Sequence, residues 1–248
     1  MDNAKGKAEI WYLYNSGFAV KTARHFFIFD YYLDTSKSKE RSLDCGVINP
    51  EELKDLNVVV FASHSHFDHF NPVIFDWRRD IKNIHYVLSH DIHAADKAAD
   101  ITIAYPNREY TVDGVSVRVL DSTDIGVAFL IKADGLCIYH AGDLNWWHWN
   151  GEPDEVNIRM AERYKAEIDK IKNEHIDLAF VPVDPRLEEN HLLGLDYFME
   201  TTDTVQVFPM HFGDNYSICD NLQKEEGAEP FRDRVARITR RGEHFLYK

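Results

Sequence analysis

The sequence predicts a single α/β domain in which two β-sheets are covered by helices. Short apolar and aromatic segments typical of strands fill the first third of the chain. Strand and helix patterns alternate in the last third. The 248 residues contain no fixed-period repeat, no low-complexity tract and no linker, so residues 1–248 are interpreted as one domain.

Each strand is predicted from a short run of β-branched and aromatic residues that ends at a turn. In chain order, strands are expected at residues 10–14, 19–21, 26–31, 57–62, 84–88, 101–104, 115–120, 126–131, 136–140, 178–183, 205–210 and 244–247. The longest helical pattern covers residues 156–175, where apolar side chains recur along one face. A helix start at 49–52 and helices at 71–79, 195–200 and 230–240 are also predicted.

The composition is typical of a globular protein and argues against a nucleic-acid partner. Hydrophobic residues make up 44% of the chain, but the formal net charge is -14 and no segment concentrates lysine and arginine, so polyanions would be repelled. The first seven residues contain no apolar signal segment and no run could span a bilayer, so we expect a cytoplasmic protein without a membrane contact. The widely spaced Cys45, Cys137 and Cys219 fit a reducing compartment.

The segment most informative about function follows the predicted strand at 57–62. It contains His64, His66, Asp68 and His69 within six residues. Imidazole nitrogens and carboxylate oxygens are ligands that zinc, iron and manganese accept. His64 and His66, two residues apart, can face one ion, while Asp68 and His69 can reach a second.

Two further predicted strands are followed directly by ligand-type residues. Asp143 comes after the strand at 136–140, and Gly142 allows the sharp turn that would let its carboxylate bridge two ions. His211 comes after the strand at 205–210. Either residue alone is compatible with an ordinary turn or a core histidine, but strand ends often present side chains to one cleft.

In this order, the motifs resemble those of the metallo-β-lactamase superfamily, which carries His-x-His-x-Asp-His after one strand, Asp after another and His after a late strand. The strings Tyr-His-Ala-Gly-Asp at 139–143 and Pro-Met-His at 209–211 look most like the cytoplasmic metal-dependent hydrolases of the ascorbate-6-phosphate lactonase-like group. The resemblance covers nearly the whole chain. It implies a four-layer αββα sandwich with a metal cleft at one edge.

The resemblance also implies a role for each matching residue. His64 and His66 would hold the first ion, Asp68, His69 and His211 the second, and Asp143 would lie between the two. Asp30 would support the His-rich loop by hydrogen bonding. One departure concerns the further histidine that the family supplies from the strand before Gly126, because here Asp121 occupies the expected place. Asp121 could ligate the first ion, or that site could be weak or empty, with one ion in the protein.

Other residues near these motifs are candidates for catalysis or substrate binding. Asp68 could take the proton of the attacking water, and His140 could carry a proton or orient a neighbour. Arg186 could bind an anionic group of the substrate or belong to a solvated turn. The aromatic cluster at 146–149 could line a substrate pocket or pack in the core.

The sequence therefore predicts a hydrolase in which a metal-activated water attacks an ester, lactone or phosphodiester bond of a small metabolite. One or two divalent ions are expected, zinc or manganese first, with iron also compatible. The substrate is expected to be a small anionic molecule. Two alternatives remain open: a mononuclear iron dioxygenase of the same fold, and a catalytically degenerate member that binds a ligand.

Overall fold

The strands form two mixed β-sheets, as the computed structural model shows for residues 6–36, 38, 40–93 and 98–248. Within these ranges the first sheet has the spatial order β13 (His244–Tyr247), β1 (Ala8–Tyr14), β2 (Gly17–Lys21), β3 (His25–Phe29), β4 (Asn57–Ala62), β5 (Asn83–Ser89) and β6 (Ile101–Ala104). The second sheet has the order β12 (Asp203–Met210), β11 (His175–Pro182), β10 (Leu136–His140), β9 (Val127–Ala133), β8 (Val115–Asp121) and β7 (Glu109–Val112).

Helices cover the outer faces of the two sheets. The α-helices are α1 (Pro50–Leu53), α2 (Asp154–Ile168), α3 (Leu193–Thr201) and α4 (Ser217–Leu222), and 3₁₀ segments span Leu43–Cys45, Pro72–Arg79, Asp169–Ile171, Pro185–Asn190 and Arg232–Arg234. Ile74 and Trp77 pack on the outer face of the first sheet, while Tyr164 of α2 and Phe198 of α3 pack on the second. The predicted four-layer αββα arrangement results.

The central strand β4 is buried on both faces because it carries an unbroken run of apolar residues. Val59 and Phe61 face the core between the sheets, whereas Val58 and Val60 face the core beneath the outer helices. Strands β3 to β6 run parallel, as do β10 to β12. Residues that follow parallel neighbours therefore meet at one edge of their sheet.

Every strand expected from the sequence is present, with boundaries shifted by a few residues. The expectation missed β7, an edge strand of the second sheet that pairs with β8. Its segment Glu-Tyr-Thr-Val is half polar and so gives no apolar strand signal. It also missed the short helix α4. The helical pattern at 156–175 ends earlier, at Ile168, and a 3₁₀ turn follows before β11 begins at His175.

The predicted helix at 230–240 is wrong. Only Arg232–Arg234 forms a 3₁₀ turn, and the chain then extends alongside β12. Val235 forms a bridge with Val207, and the Ala236 N–H donates to the Val207 carbonyl over 2.8 Å. A strand neighbour thus satisfies backbone groups that a helix would have satisfied internally.

Two expectations touch residues that the structure does not describe. The polar amino-terminal segment includes residues 1–5, which lie outside the described ranges. The single-domain interpretation of residues 1–248 stays a prediction. In the described part of the chain, no helix combines the length and apolar character needed to cross a membrane.

Candidate metal centre

Four buried polar residues follow the carboxyl ends of parallel strands and meet at one edge of the two sheets. Asp30 follows β3 and His64 follows β4, its parallel neighbour. In the second sheet, Asp143 follows β10 and His211 follows β12. Gly142 makes the turn before Asp143 with a φ of 52°, and a Cβ there would lie 2.5 Å from the Cβ of Ser63.

The ligand-type side chains gather in two groups at this edge. One group contains His64, His66, Asp124 and Asp143, the other contains Asp68, His69 and His211, and the ligand atoms of each group lie within 4.8 Å of one another. Asp143 contacts both groups. Its Oδ2 is 3.5 Å from His64 Nε2, and its Oδ1 is 3.2 Å from His69 Nε2 and 3.4 Å from His211 Nε2. The structure therefore brings six of the seven predicted ligands together.

Each buried histidine at this edge is oriented through its Nδ1 atom. His69 Nδ1 lies 2.7 Å from Asp30 Oδ2, and His211 Nδ1 lies 2.9 Å from Asp184 Oδ2. The Nδ1 atom of His64 lies 2.9 Å from the Ser63 hydroxyl. When Nδ1 is held in this way, the Nε2 lone pair is directed into the site, as is usual for metal-binding histidines.

The atoms directed into the site fit a cation. Among the described residues, His64 Nε2, His69 Nε2 and Asp143 Oδ1 are buried without a hydrogen-bond partner. Buried polar atoms without a partner destabilise a fold unless something satisfies them. A dication would satisfy all three, since imidazole nitrogen and carboxylate oxygen are the donor atoms that zinc, manganese and iron share.

Asp30 is the supporting carboxylate that the resemblance implies. It is fully buried and accepts hydrogen bonds of 2.7 Å from both the backbone N–H and the hydroxyl of Ser63. Burial alone would raise the pKa of Asp30, but His140 and His69 outweigh it and lower the pKa to about 2. Burial would likewise lower the pKa of His69, but Asp143 and Asp30 outweigh it and raise the pKa to about 9. Asp30 and His69 thus each favour the charged form of the other.

Asp121, the residue considered as a further ligand of the first ion, lies outside both groups. Asp121 is exposed, and its Oδ1 accepts from the Ser122 N–H over 3.0 Å. Asp124 joins the group instead, with Oδ2 3.7 Å from His66 Nδ1. Gly126 allows the loop that contains Asp124 to pack directly against the start of the His-rich loop, because a Cβ at this position would lie 2.1 Å from the Ser63 carbonyl oxygen.

The structure also places His140 away from the cleft. The residue is fully buried, its Nε2 lies 2.9 Å from the Ser16 carbonyl oxygen, and its Nδ1 accepts from the Gly142 N–H over 3.2 Å. Its ring stacks on Phe29 with centroids 5.0 Å apart. With both nitrogens bonded to backbone groups, His140 supports the turn before Asp143.

Two cavities that share lining residues flank the ligand groups. A cavity of about 390 Å³ is lined by Asp124, Asp143, Trp147 and Trp149 among others, and a cavity of about 300 Å³ is lined by Tyr14, Tyr32 and Phe212 among others. Both cavities share Phe67, Asp68, Arg186 and His211. Together the two cavities form a cleft that several of the candidate ligands line.

The tryptophan cluster contributes to this cleft only in part. Trp147 and Trp149 stack with ring centroids 6.0 Å apart and line the larger cavity. The indole N–H of Trp147 donates to the Asp143 carbonyl over 2.9 Å, which fixes the wall to the ligand loop. Trp146 packs elsewhere, with the Lys165 ammonium 4.3 Å from its ring centroid.

Sequence reasoning did not identify several residues that support the site. Thr123 accepts a hydrogen bond from the Asn145 N–H and donates to the Asn145 carbonyl, which ties the loop before β9 to the loop after Asp143. Ser63 could have been found from its position beside His64. Asn15, whose amide contacts Asp68, gives no sequence signal beyond that of a turn asparagine.

No protein-family model matches the chain. A curated relative, a UPF0173 metal-dependent hydrolase of Thermococcus kodakarensis, is 34% identical over 112 residues, which is 40% of this chain and 48% of the relative. The chain thus spans about half the length of the curated relative that it matches.

Solved structures resemble the chain over almost its whole length. Igni18, a metallo hydrolase of the archaeon Ignicoccus hospitalis, matches with a TM-score of 0.65 and 18% identity over 98% of this chain and 99% of that one. YhfI of Bacillus subtilis, a metallo-β-lactamase fold protein, matches with a TM-score of 0.60 and 14% identity over 98% of this chain and 100% of that one. The chain therefore has the metallo-β-lactamase fold, which confirms the predicted fold class. The narrower resemblance to the lactonase-like group stays a prediction.

Proposed function

We propose that the protein is a metal-dependent hydrolase that cleaves an ester, lactone or phosphodiester bond in a small, anionic cytoplasmic metabolite. One observation carries this proposal. Seven ligand-type side chains converge in one cleft, and three of their buried polar atoms have no hydrogen-bond partner among the described residues. Such an arrangement is unfavourable by itself but suits a bound cation.

We assign the two groups to two cations. One would be held by His64, His66 and Asp124, the other by Asp68, His69 and His211, with Asp143 shared. The donor set is nitrogen and oxygen only, which suits zinc or manganese and is compatible with iron. Bound there, the cation acts as a Lewis acid and lowers the pKa of water from about 15.7 toward about 7.

The side chains of the cleft supply the remaining parts of the reaction. Asp68 is partly exposed in both cavities, and we assign it as the group that accepts the proton of the attacking water. The aromatic wall of Trp147 and Trp149 limits water around the reacting bond. His140 serves by holding the turn that positions Asp143, not as a proton carrier.

The preference for an anionic substrate rests on Arg186. Its Nε and Nη2 donate to Asp184, with Nε 2.9 and 3.0 Å from the two carboxylate oxygens. The side chain is 64% exposed and lines both cavities, so its remaining donors are available to a ligand. A guanidinium fixed by one carboxylate can still form hydrogen bonds to a second carboxylate or to a phosphate.

Metal analysis followed by a substrate screen tests the proposal. Purified protein is stripped with a chelator, reloaded with zinc, manganese or iron, and assayed with lactones, phosphodiesters and thioesters. We expect the metal-loaded protein to bind one or two ions per chain and to hydrolyse at least one class. Asp143→Asn should reduce turnover by at least about 100-fold, because its oxygens contact both ligand groups.

Asp121→Asn is the matched control, because Asp121 precedes the same loop as Asp124 but lies outside both groups. It should keep wild-type metal content and turnover. Wild-type protein that binds none of the three metals after reloading would overturn the proposal. Oxygen consumption by the iron-loaded protein, without hydrolysis, would instead identify the dioxygenase alternative.

The degenerate ligand-binding alternative loses its main support in this geometry. That alternative depended on the histidine missing before Gly126, and Asp124 supplies a carboxylate to the group from the same loop. A protein whose cellular role persists with Asp143→Asn would still favour ligand binding over catalysis.

A further inference from the structure

Asn15 lies in the turn between β1 and β2, and its environment is unusual for a turn residue. Its φ of 53° is in the left-handed region, which asparagine tolerates better than most residues do. Only 8% of the residue is exposed, although turns usually face solvent. A buried turn asparagine needs hydrogen-bond partners, and the partners of Asn15 belong to the candidate metal centre.

The polar atoms of Asn15 join two segments that carry candidate ligands. Its Nδ2 donates to Asp68 Oδ2 over 3.2 Å, and its Oδ1 accepts from the Gly213 N–H over 3.2 Å. Its carbonyl accepts from the His211 N–H, also over 3.2 Å. Asp68 follows a strand of the first sheet and His211 follows a strand of the second. Asn15 therefore connects the two sheets at the edge where the candidate ligands meet.

The hydrogen bond to Asp68 involves the oxygen that faces the ligand histidines. Asp68 Oδ2 lies 3.6 Å from His69 Nε2 and 3.7 Å from His211 Nε2. An amide donor on that oxygen fixes the direction of the carboxylate while leaving it a lone pair for a cation. Hydrogen bonds of this kind to ligating carboxylates orient metal ligands in many proteins.

Asn15 also holds the backbone of His211. His211 has a φ of 68°, a conformation that a residue with a Cβ adopts only where its neighbours hold it. Tyr12 completes the support, because its buried hydroxyl accepts from the Asn15 N–H over 2.9 Å and donates to the Gly213 carbonyl over 3.0 Å. The 211–213 segment is thus bonded to Asn15 and Tyr12 at three points.

We propose that Asn15 is a positioning residue that sets Asp68 and His211 for one shared cation. The proposal rests on the proposed function, since it requires that Asp68, His69 and His211 bind a metal. It assigns the amide Nδ2 to the Asp68 carboxylate, and the carbonyl and Oδ1 to the loop that carries His211. In the described ranges, the hydrogen bonds of Asn15 do not reach His64, His66 or Asp124.

The test is calorimetric titration of metal-free protein with zinc, combined with thermal melting. Asn15→Gly keeps the left-handed backbone available and removes the whole side chain. We expect one of two zinc ions to bind about 10- to 100-fold more weakly while the other keeps its affinity. The matched control is Asn107→Gly, because Asn107 also has a left-handed φ, of 60°, and a side-chain hydrogen bond, to Lys170, but lies outside both ligand groups.

Unchanged affinity for both ions in Asn15→Gly, with only a lower melting temperature, would overturn the proposal. If Asn15→Gly does not fold, Tyr12→Phe decides, because it removes only the hydroxyl that holds Asn15 and Gly213. Tyr12→Phe should then lower the affinity for the same zinc ion several-fold, and unchanged zinc affinity would overturn the proposal. Wild-type protein that binds no zinc, manganese or iron would reject the proposed function itself, and this inference with it.

Discussion

The two ends of strand β3 carry the same kind of buried pair and use it differently. At the start of the strand, His25 Nδ1 lies 3.0 Å from Asp134 Oδ2. Just past its end, Asp30 Oδ2 lies 2.7 Å from His69 Nδ1. All four side chains are almost completely buried, with at most 5% exposed.

The difference lies in the second nitrogen of each imidazole. His25 Nε2 lies 3.0 Å from the Asp113 carbonyl oxygen, so both of its nitrogens have partners within the protein. Within the part of the chain that the structure describes, His69 Nε2 has no hydrogen-bond partner, and it faces Asp143 and Asp68. A histidine and aspartate pair therefore serves the fold where both nitrogens are bonded, and can serve a metal site where one nitrogen remains available.

Asp30→Asn should produce the largest change, because it removes the charge from the pair at the metal edge. Asparagine tolerates the left-handed φ of 43° at this position, so the backbone can stay in place. We expect a loss of about 3–5 kcal/mol in the free energy of unfolding of the metal-free protein. Zinc affinity should also fall, since asparagine offers one acceptor oxygen where aspartate offers two, and Ser63 and His69 are both oriented by those oxygens. Urea denaturation and zinc titration measure the two effects. An unchanged zinc affinity would contradict the claim that the pair of Asp30 and His69 serves the proposed metal site.

Asp134→Asn applies the same substitution at the other end of the strand. Besides His25, Asp134 accepts hydrogen bonds from the Thr22 hydroxyl and from Arg24. Hydrogen bonds to a charged group predict a loss of about 2 kcal/mol in the free energy of unfolding. Zinc affinity and turnover should stay at wild-type values. If zinc binding fell together with stability, the two ends of the strand would be coupled and the comparison would fail.

The contribution of Asp134 should also depend on pH with a definite sign. Although burial opposes it, the hydrogen bonds from Thr22, His25 and Arg24 hold the pKa of Asp134 well below its usual value. A depressed native-state pKa stabilises the fold above the unfolded-state pKa of about 4, and this stability is lost as pH falls toward the native-state pKa. The free energy of unfolding of wild type should therefore exceed that of Asp134→Asn by a constant amount, about 2 kcal/mol, from pH 5 to pH 7. This difference should shrink below about pH 4. Urea denaturation across that range checks the sign.

The parts of the site that the sequence could predict are those that leave a signal within a short stretch of the chain. The proposed ligands His64, His66, Asp68 and His69 are close together in the chain, so their spacing after a strand is enough to predict them. Asp143 and His211 required recognition of an ordered pattern. The residues that orient the proposed ligands could be assigned only in part, because Asp184, which holds His211, and Asn15, which donates to Asp68, reach the site through long-range packing. Strand positions were predicted well because burial on both faces leaves a local apolar signal, whereas the extended segment after Arg232–Arg234 depends on its contact with β12.

Asp124→Asn should give the smallest of these effects, and it tests the difference between the two ligand groups. His66 and Asp124 have side chains 48% and 44% exposed, and among the described residues no carboxylate holds His66 as Asp30 holds His69. A ligand pair that solvent already reaches loses less when one carboxylate becomes an amide, so we expect about a tenfold loss in affinity for one zinc ion and little change in stability. Asp121→Asn is the matched control at the end of β8, just before that loop, and should change neither zinc affinity nor stability. Weaker zinc binding in Asp121→Asn but not in Asp124→Asn would identify Asp121 as the ligand. The expected result would instead support one cation beside the exposed pair of His66 and Asp124, and a second beside the buried pair of His69 and Asp30.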